Sequence, residues 1–319
     1  MPSIVKPIVT HPSLARNELG LTIRDYEGSM STLCAGCGHD SVTAAIVRAF
    51  YELDAAPHMI AKLSGIGCSS KTPTYFVSGD GDSLSIGLGQ MAHAIRRNVD
   101  MLYIVENNGV YGLTKGQFSA TADRGSKSKR GVVNHDEPID LVSLSLQLGA
   151  SFVARSFSGD KAQLVPILKA GLAHKGFALV DVISPCVTFN DHEGSTKSYA
   201  YMKDHDAPLQ ELSFIPAFED ITVEYDPGTT TDVTLHDGSH LRLRKLEEGY
   251  DPSDRGRAVA RLMESAKGGE VLTGVLFLDT KAPSFADALS VTDAPLATLP
   301  PERTRPPRAV LEEIVAGLR

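Results

Sequence analysis

Residues 79–117 read GDGDSLSIGLGQMAHAIRRNVDMLYIVENNGVYGLTKGQ, from Gly79 to Gln117. The stretch predicts a loop, a helix, a strand and a second loop. Gly79-Asp80-Gly81-Asp82 is a tight turn after the short apolar run Tyr75-Phe76-Val77. Leu84, Leu88, Met91 and Ile95 then recur at helical spacing and make one apolar face. Asp82 or Ser83 is suited to cap the first turn. Met101-Leu102-Tyr103-Ile104-Val105 is a continuous apolar run of strand length, as expected of a strand covered on both faces. Glu106-Asn107-Asn108-Gly109 closes it with turn residues. Two loops at the carboxyl ends of parallel strands face one crevice, where open α/β sheets bind ligands. Asp80 gives one loop a carboxylate, and Asn108 gives the other an amide oxygen. Oxygen ligands of this kind suit Mg²⁺ beside a phosphate, because the ion keeps few protein ligands. The helix start at Asp82–Ser83 offers backbone N–H groups to a diphosphate. A lone GDG is most often a plain turn. The pairing with NN after an apolar strand is much more specific.

The rest of the chain narrows the class. It has 319 residues, 42% hydrophobic and 22% charged, the profile of an ordinary globular protein. A formal charge of −8 argues against a nucleic-acid partner, which calls for a basic face. No apolar run is long enough for a membrane span, and the first residues lack the apolar core of a signal peptide. A cytoplasmic location is the expectation.

Four cysteines, Cys34, Cys37, Cys68 and Cys186, are too scattered for a disulfide framework. Cys34-Ala35-Gly36-Cys37 is a CxxC that suits zinc, an iron–sulfur cluster or dithiol chemistry. Its neighbour His39 is not adjacent to Cys37, which excludes a c-type haem site. A helix follows, with Val42, Ile46 and Phe50 on one side and Asp40 or Ser41 as cap. Cys68 lies in the small-residue loop GIGCSSK, and Cys186 follows the apolar strand Phe177 to Ile183. Taken singly, either is an ordinary buried cysteine. A zinc site usually shows two close pairs, whereas a [4Fe–4S] cluster needs four thiolates and tolerates scattered spacing.

CAGCGH, GIGCSS, GDGD, NNGVYGLTKGQ and SPC, in this order, resemble the β subunits of the 2-oxoacid:ferredoxin oxidoreductases, the 2-oxoglutarate enzyme above all. The resemblance is strong over residues 20–205. It implies an α/β thiamine diphosphate-binding fold, a mostly parallel doubly wound sheet with a small C-terminal α+β extension. It implies an arm over 1–30, a cofactor and cluster domain over 31–207, and an extension over 208–319. By the same resemblance Asp80, Asn108 and the Val110 carbonyl are Mg²⁺ ligands. Gly79, Gly81, Asp82, Tyr111, Gly112 and Leu113 border the cofactor. Cys34, Cys37, Cys68 and Cys186 ligate one [4Fe–4S] cluster. Lys71 is a partner for a substrate carboxylate, and Leu113, Lys115 and Gln117 belong to the reactive loop. His192, in a loop after the last cysteine, is more simply structural. The implied reaction is oxidative decarboxylation of a 2-oxoacid to acyl-CoA and CO₂, with electrons passing through the cluster to ferredoxin. The glutamate that activates the aminopyrimidine would come from an α subunit, since no second thiamine-type domain is present.

One departure stands out. Only SSKTPTYFVSG separates Cys68 from Asp80, where the family places a His-Gly segment, a helix and a strand. About one crossover unit, ~30 residues, is missing by this count. Tyr75-Phe76-Val77 is a candidate stand-in for the strand, and the helix has none. A deletion that spares the metal ligands and damages the cofactor pocket is one expectation. It would leave a cluster-binding remnant, while a pyruvate-specific or other 2-oxoacid member is a further alternative.

Alternation continues downstream, with helices over Ile139 to Leu148 and Lys161 to Ala173 and a strand at Val153-Ala154-Arg155. Beyond residue 208, Ile221 to Tyr225, Asp232 to Leu235 and His240 to Arg244 alternate at period two and predict a small antiparallel meander. A helix over Asp254 to Lys267, a strand over Val271 to Leu278 and a last helix over Ala309 to Leu318 complete the reading.

Overall fold

A computed structural model describes residues 13–28, 33, 37–60, 63–64, 76–128, 131–186, 220–235, 240–289 and 298–318. In chain order the strands are Leu63–Ser64 (β1), Phe76–Gly79 (β2), Met101–Asn107 (β3), Val110–Tyr111 (β4), Gln117–Phe118 (β5), Phe152–Phe157 (β6), Phe177–Ile183 (β7), Thr230–Thr234 (β8), His240–Lys245 (β9) and Val271–Leu278 (β10). The helices are Gly38–Glu52 (α1), Leu88–Arg96 (α2), Leu141–Leu148 (α3), Lys161–Ala173 (α4), Arg255–Lys267 (α5) and the short Phe285–Ala288 (α6), Pro301–Thr304 (α7) and Arg308–Gly317 (α8).

Among the described residues, eight strands form one sheet in the order β1-β2-β3-β7-β6-β10-β9-β8. The first five are parallel; β10 runs antiparallel to β6, and β9 lies parallel to β10. Alternation along the central strands explains why both faces are covered. Leu102 and Ile104 of β3, with Ala178, Val180 and Val182 of β7, join the core beneath α1 and α4. Tyr103 and Val105, with Phe177 and Leu179, join the core beneath α2, α3 and α5. Complete burial of each Val, Leu, Ile or Phe among them contributes about 1.5–3 kcal/mol. The doubly wound, mostly parallel sheet is the architecture expected from the sequence.

Local corrections have clear causes. Met91 and Ile95 are buried on α2 as expected, but the chain enters that helix through a π-helical turn at Asp82–Ile86. Neither Asp82 nor Ser83 caps it. The Ser83 hydroxyl instead lies 3.0 Å from the Tyr103 hydroxyl in the core. Helix α1 starts earlier than its expected cap, so Cys37 is the N-cap residue and Asp40 falls in the first turn. Asp140 caps α3, accepting from the Ser143 N–H at 2.8 Å, which moves the start of that helix from Ile139 to Leu141. The expected meander is a two-stranded hairpin, β8 with β9. Residues 221–225 belong to no strand, and the Val223 N–H donates to the Gly159 carbonyl at 3.1 Å. Phe76 and Val77 do form a strand, which runs parallel between β1 and β3. Tyr75 and the segment on its N-terminal side, back to Gly65, lie outside the described residues.

Candidate active site

Asp80 follows the last residue of β2 and is 1% exposed. Its Oδ2 accepts from the Ser119 and Thr121 hydroxyls. Among the described residues no cation reaches it. A buried carboxylate without a cation is costly, so the donor set fits a divalent ion at this position. Asn108 sits just past the end of the neighbouring strand β3. Its Oδ1 accepts from the Val110 N–H at 3.0 Å, and its Nδ2 lies 3.4 Å from His39 Nε2. The other His39 nitrogen, Nδ1, lies 3.6 Å from Glu106 Oε2. A proton on Nδ1 facing the carboxylate leaves Nε2 as the acceptor that the Asn108 amide requires. His39 therefore ties the start of α1 to the Asn108 loop.

Tyr111 holds the first loop from the other side. Its hydroxyl donates to the Gly81 carbonyl at 2.9 Å, and its ring lies where a Gly81 side chain would stand. Asp82 Oδ2 is buried without a hydrogen-bond partner among the described residues. Burial raises the pKa of this carboxyl above the ordinary value; the Gly79 N–H opposes the rise and Asp80 adds to it. No three His, Cys, Asp or Glu side chains converge on a metal position among the described residues. A Mg²⁺ site made of Asp80, Asn108 and a carbonyl needs only one of these types.

A cavity of about 410 Å³ opens here, within the range of small-ligand sites, and Asn107, Asn108, Val110, Thr121, Arg155 and Cys186 are among its walls. The N-terminus of α1 packs against the end of β7, because a side chain on Gly38 would meet Ser184. Cys37 and Cys186 flank that contact, Cys37 buried and Cys186 half-buried. Cys34, Cys68, Lys71 and His192 lie outside the described residues. Leu113 and Lys115 occupy the exposed turn between β4 and β5, where Leu113 is 77% exposed and Lys115 adopts φ 76°. Gly112 accepts from the Lys115 N–H in this turn, and the Gln117 amide oxygen accepts from the Thr114 hydroxyl.

Ser119, Thr121 and the ion-pair network behind them carried no motif in the sequence, and Asn107 was read only as part of the NN turn. Asn107 Nδ2 donates to Asp181 Oδ1 at 3.1 Å, and Arg155 donates to Asp181 Oδ2 at 2.7 Å and to Asp140 Oδ1 at 3.1 Å. Burial pushes the Asp181 pKa up, with Arg155 opposing. Burial would also raise Asp140, but Arg155 and the Ser143 N–H outweigh it and hold this carboxyl below the usual range. The one signal available was a charged residue in each of two otherwise apolar strands, Arg155 and Asp181.

Comparison with known proteins places the fold first in a class. Residues 55–182 match the thiamine pyrophosphate enzyme, C-terminal TPP binding domain, and residues 240–294 match the C-terminal family of the pyruvate ferredoxin oxidoreductase β subunits. The chain belongs to the 2-oxoacid:ferredoxin oxidoreductase β subunit family. It is 36% identical over 223 residues to the 2-oxoacid:ferredoxin oxidoreductase subunit β of Saccharolobus solfataricus, covering 59% of this chain and 70% of that one. It is 39% identical over 193 residues to 2-oxoacid:ferredoxin oxidoreductase 1, subunit β, of Aeropyrum pernix, covering 50% of this chain and 60% of that one. A solved 2-oxoglutarate:ferredoxin oxidoreductase from Magnetococcus marinus, with 2-oxoglutarate, coenzyme A and succinyl-CoA bound, superposes with a TM-score of 0.64 at 27% identity, over 88% of this chain and 92% of that one.

Proposed function

We propose that this chain is the thiamine diphosphate-bearing β subunit of a 2-oxoacid:ferredoxin oxidoreductase. Its reaction is the oxidative decarboxylation of a 2-oxoacid, 2-oxoglutarate in the first instance, to acyl-CoA and CO₂. The observation that carries the reading is Asp80, a buried carboxylate given hydroxyl donors but no cation by the described residues, facing Asn108 across two parallel strands. Asp80, Asn108 and the Val110 carbonyl hold Mg²⁺. Gly79, Gly81 and Asp82 present the helix start to the diphosphate, and Tyr111 and Gly112 border it. Bound there, thiamine diphosphate supplies the electron sink for decarboxylation. Leu113 and Lys115 face the substrate side once their turn is covered by an α subunit, and Lys71 meets the substrate carboxylate. Cys34, Cys37, Cys68 and Cys186 hold a [4Fe–4S] cluster that passes electrons to ferredoxin; the meeting of Gly38 with Ser184 supports the placing of Cys37 and Cys186. The preference for 2-oxoglutarate is supported by the Magnetococcus enzyme and by 37% identity to a 2-oxoglutarate oxidoreductase subunit of Mycobacterium tuberculosis. The spacing of only eleven residues between Cys68 and Asp80 supports a crossover unit missing there. Among the described residues no helix is long and apolar enough to cross a membrane.

The test is cofactor content. The chain is co-expressed with its α subunit, purified without oxygen, and assayed for thiamine diphosphate, iron and 2-oxoacid-dependent ferredoxin reduction. Roughly one thiamine diphosphate and roughly four iron per chain are expected, with Asp80→Asn losing the thiamine and keeping the iron. Iron without thiamine in the unaltered chain would overturn the catalytic reading.

A further inference from the structure

We propose that Thr121 is a positioning residue that locks the two cofactor loops to each other. The inference rests on Asp80 and Asn108 being the Mg²⁺ ligands. The last ladder pair between β2 and β3 is Gly79 with Glu106. Beyond it Asp80 leaves the sheet, while Asn107 stays in β3, paired with Ile183 of β7, and no β2–β3 pairing fixes the separation of Asp80 and Asn107. Thr121 Oγ1 lies against Asp80 Oδ2 and 2.9 Å from Asn107 Oδ1. Ser119 also donates to Asp80, and its hydroxyl lies 3.4 Å from that of Thr121. Ser119 reaches the second loop further on, its N–H donating to the Gly109 carbonyl at 3.2 Å, so the tie between Asp80 and Asn107 themselves falls to the Thr121 hydroxyl.

The far side of the lock is rigid. Asn107 cannot turn its amide over, because Nδ2 must face the Asp181 carboxylate, and Oδ1 is thereby aimed at Thr121. Asp181 is fully buried and held by Arg155, which is also held by Asp140 at the N-terminus of α3. A continuous series of contacts therefore runs from Asp80 to α3. Its weakest member is Thr121, whose single hydroxyl proton serves one acceptor at a time. Asp80, being charged, is the stronger acceptor. Removing that hydroxyl takes away the direct tie between Asp80 and Asn107, next to the ligand Asn108, and leaves the Tyr111–Gly81 bond and the Ser119 bridge to Gly109 to hold the loops more loosely.

Hydrogen exchange on the assembled, cofactor-free complex tests this. Thr121→Val is expected to speed exchange of the amides in residues 78–83 and 106–111 about tenfold, the consequence of losing one hydrogen bond to a charged group. Thr121→Ser keeps the hydroxyl and is expected to exchange like the unaltered protein, with both variants unfolding at its temperature. In Mg²⁺ titrations with thiamine diphosphate present, the half-saturating concentration is expected to rise about tenfold for Thr121→Val alone. Unchanged exchange in Thr121→Val overturns the proposal. So does Thr121→Ser behaving like Thr121→Val, faster exchange spread over the whole chain, or unaltered Mg²⁺ half-saturation. If the unaltered complex binds no thiamine diphosphate, the cofactor reading fails by itself, and the exchange comparison still decides the lock.

Discussion

Gly38 meets Ser184 so closely that a Cβ at position 38 would lie 2.6 Å from the Ser184 Oγ and 3.2 Å from its carbonyl carbon. This contact joins the start of α1 to the end of β7, and each side carries a cysteine within two residues. Gly38→Ala is expected to cost about 1–3 kcal/mol through overpacking and to lower iron per chain in the anaerobically purified complex. Ser184 Oγ is buried without a partner among the described residues. Its removal in Gly38→Ala/Ser184→Ala should therefore restore part of both losses. Full iron content in Gly38→Ala would separate this contact from cluster assembly.

Tyr111 and Gly81 give a second test of the cofactor loops. Tyr111→Phe removes one hydroxyl bond to the Gly81 carbonyl and leaves the ring in place, a loss of about 1 kcal/mol. The concentration of thiamine diphosphate for half-saturation is expected to rise roughly fivefold. Gly81→Ala should be more severe, because its methyl group overlaps the Tyr111 ring. Equilibrium titration by protein fluorescence checks both, and an unshifted Tyr111→Phe titration would remove Tyr111 from the cofactor wall.

The sheet and the two cofactor loops were legible because their signals are local. β3 reads as an apolar run to Val105 and β7 as an apolar run interrupted only by Asp181, and α4 and β10 fall where the periodicity put them. The π-helical turn at Asp82–Ile86 was not legible, because Ser83 is drawn to the Tyr103 hydroxyl by tertiary structure rather than to its own helix. Residues 221–225 alternate like a strand, yet their place beside Gly159 is set by a contact more than sixty residues away. Ser119 and Thr121 look like loop solvation in the sequence. They gain a role only because the chain returns them to Asp80.

Arg155 is the cation behind that site, and its removal should be felt in stability before chemistry. Asp181 is fully buried, and Arg155→Met leaves it without its charge partner. Breaking one side of such a pair costs about 3–5 kcal/mol, enough to lower the unfolding temperature by roughly 10 °C in a chain of this size. Arg155→Met/Asp181→Leu is expected to recover most of that loss, since an apolar pair leaves no stranded charge. Thermal unfolding of the two variants decides it, and equal destabilisation by both would show that packing rather than charge holds the site together.

His174 gives the chain a pH dependence that can be assigned. It ends α4, with Nε2 2.7 Å from the Ser151 hydroxyl, far from the cofactor loops in sequence and at the opposite ends of the strands. Burial lowers its pKa below the ordinary 6.5, and the nearby Asp100 and Asp279 carboxylates only partly oppose this. The unfolded chain therefore binds the proton more readily than the folded one. Its contribution to stability is complete above the unfolded value and is lost as pH falls through and below 6.5 toward the lowered folded value. The unfolding temperature should fall between about pH 7.5 and pH 5.5, the window of an unperturbed histidine. His174→Gln, which offers Ser151 an uncharged amide in place of the ring, should flatten that fall while leaving the response below about pH 4.5 to the carboxylates. An equal slope in both proteins across the upper window would assign the proton to another group.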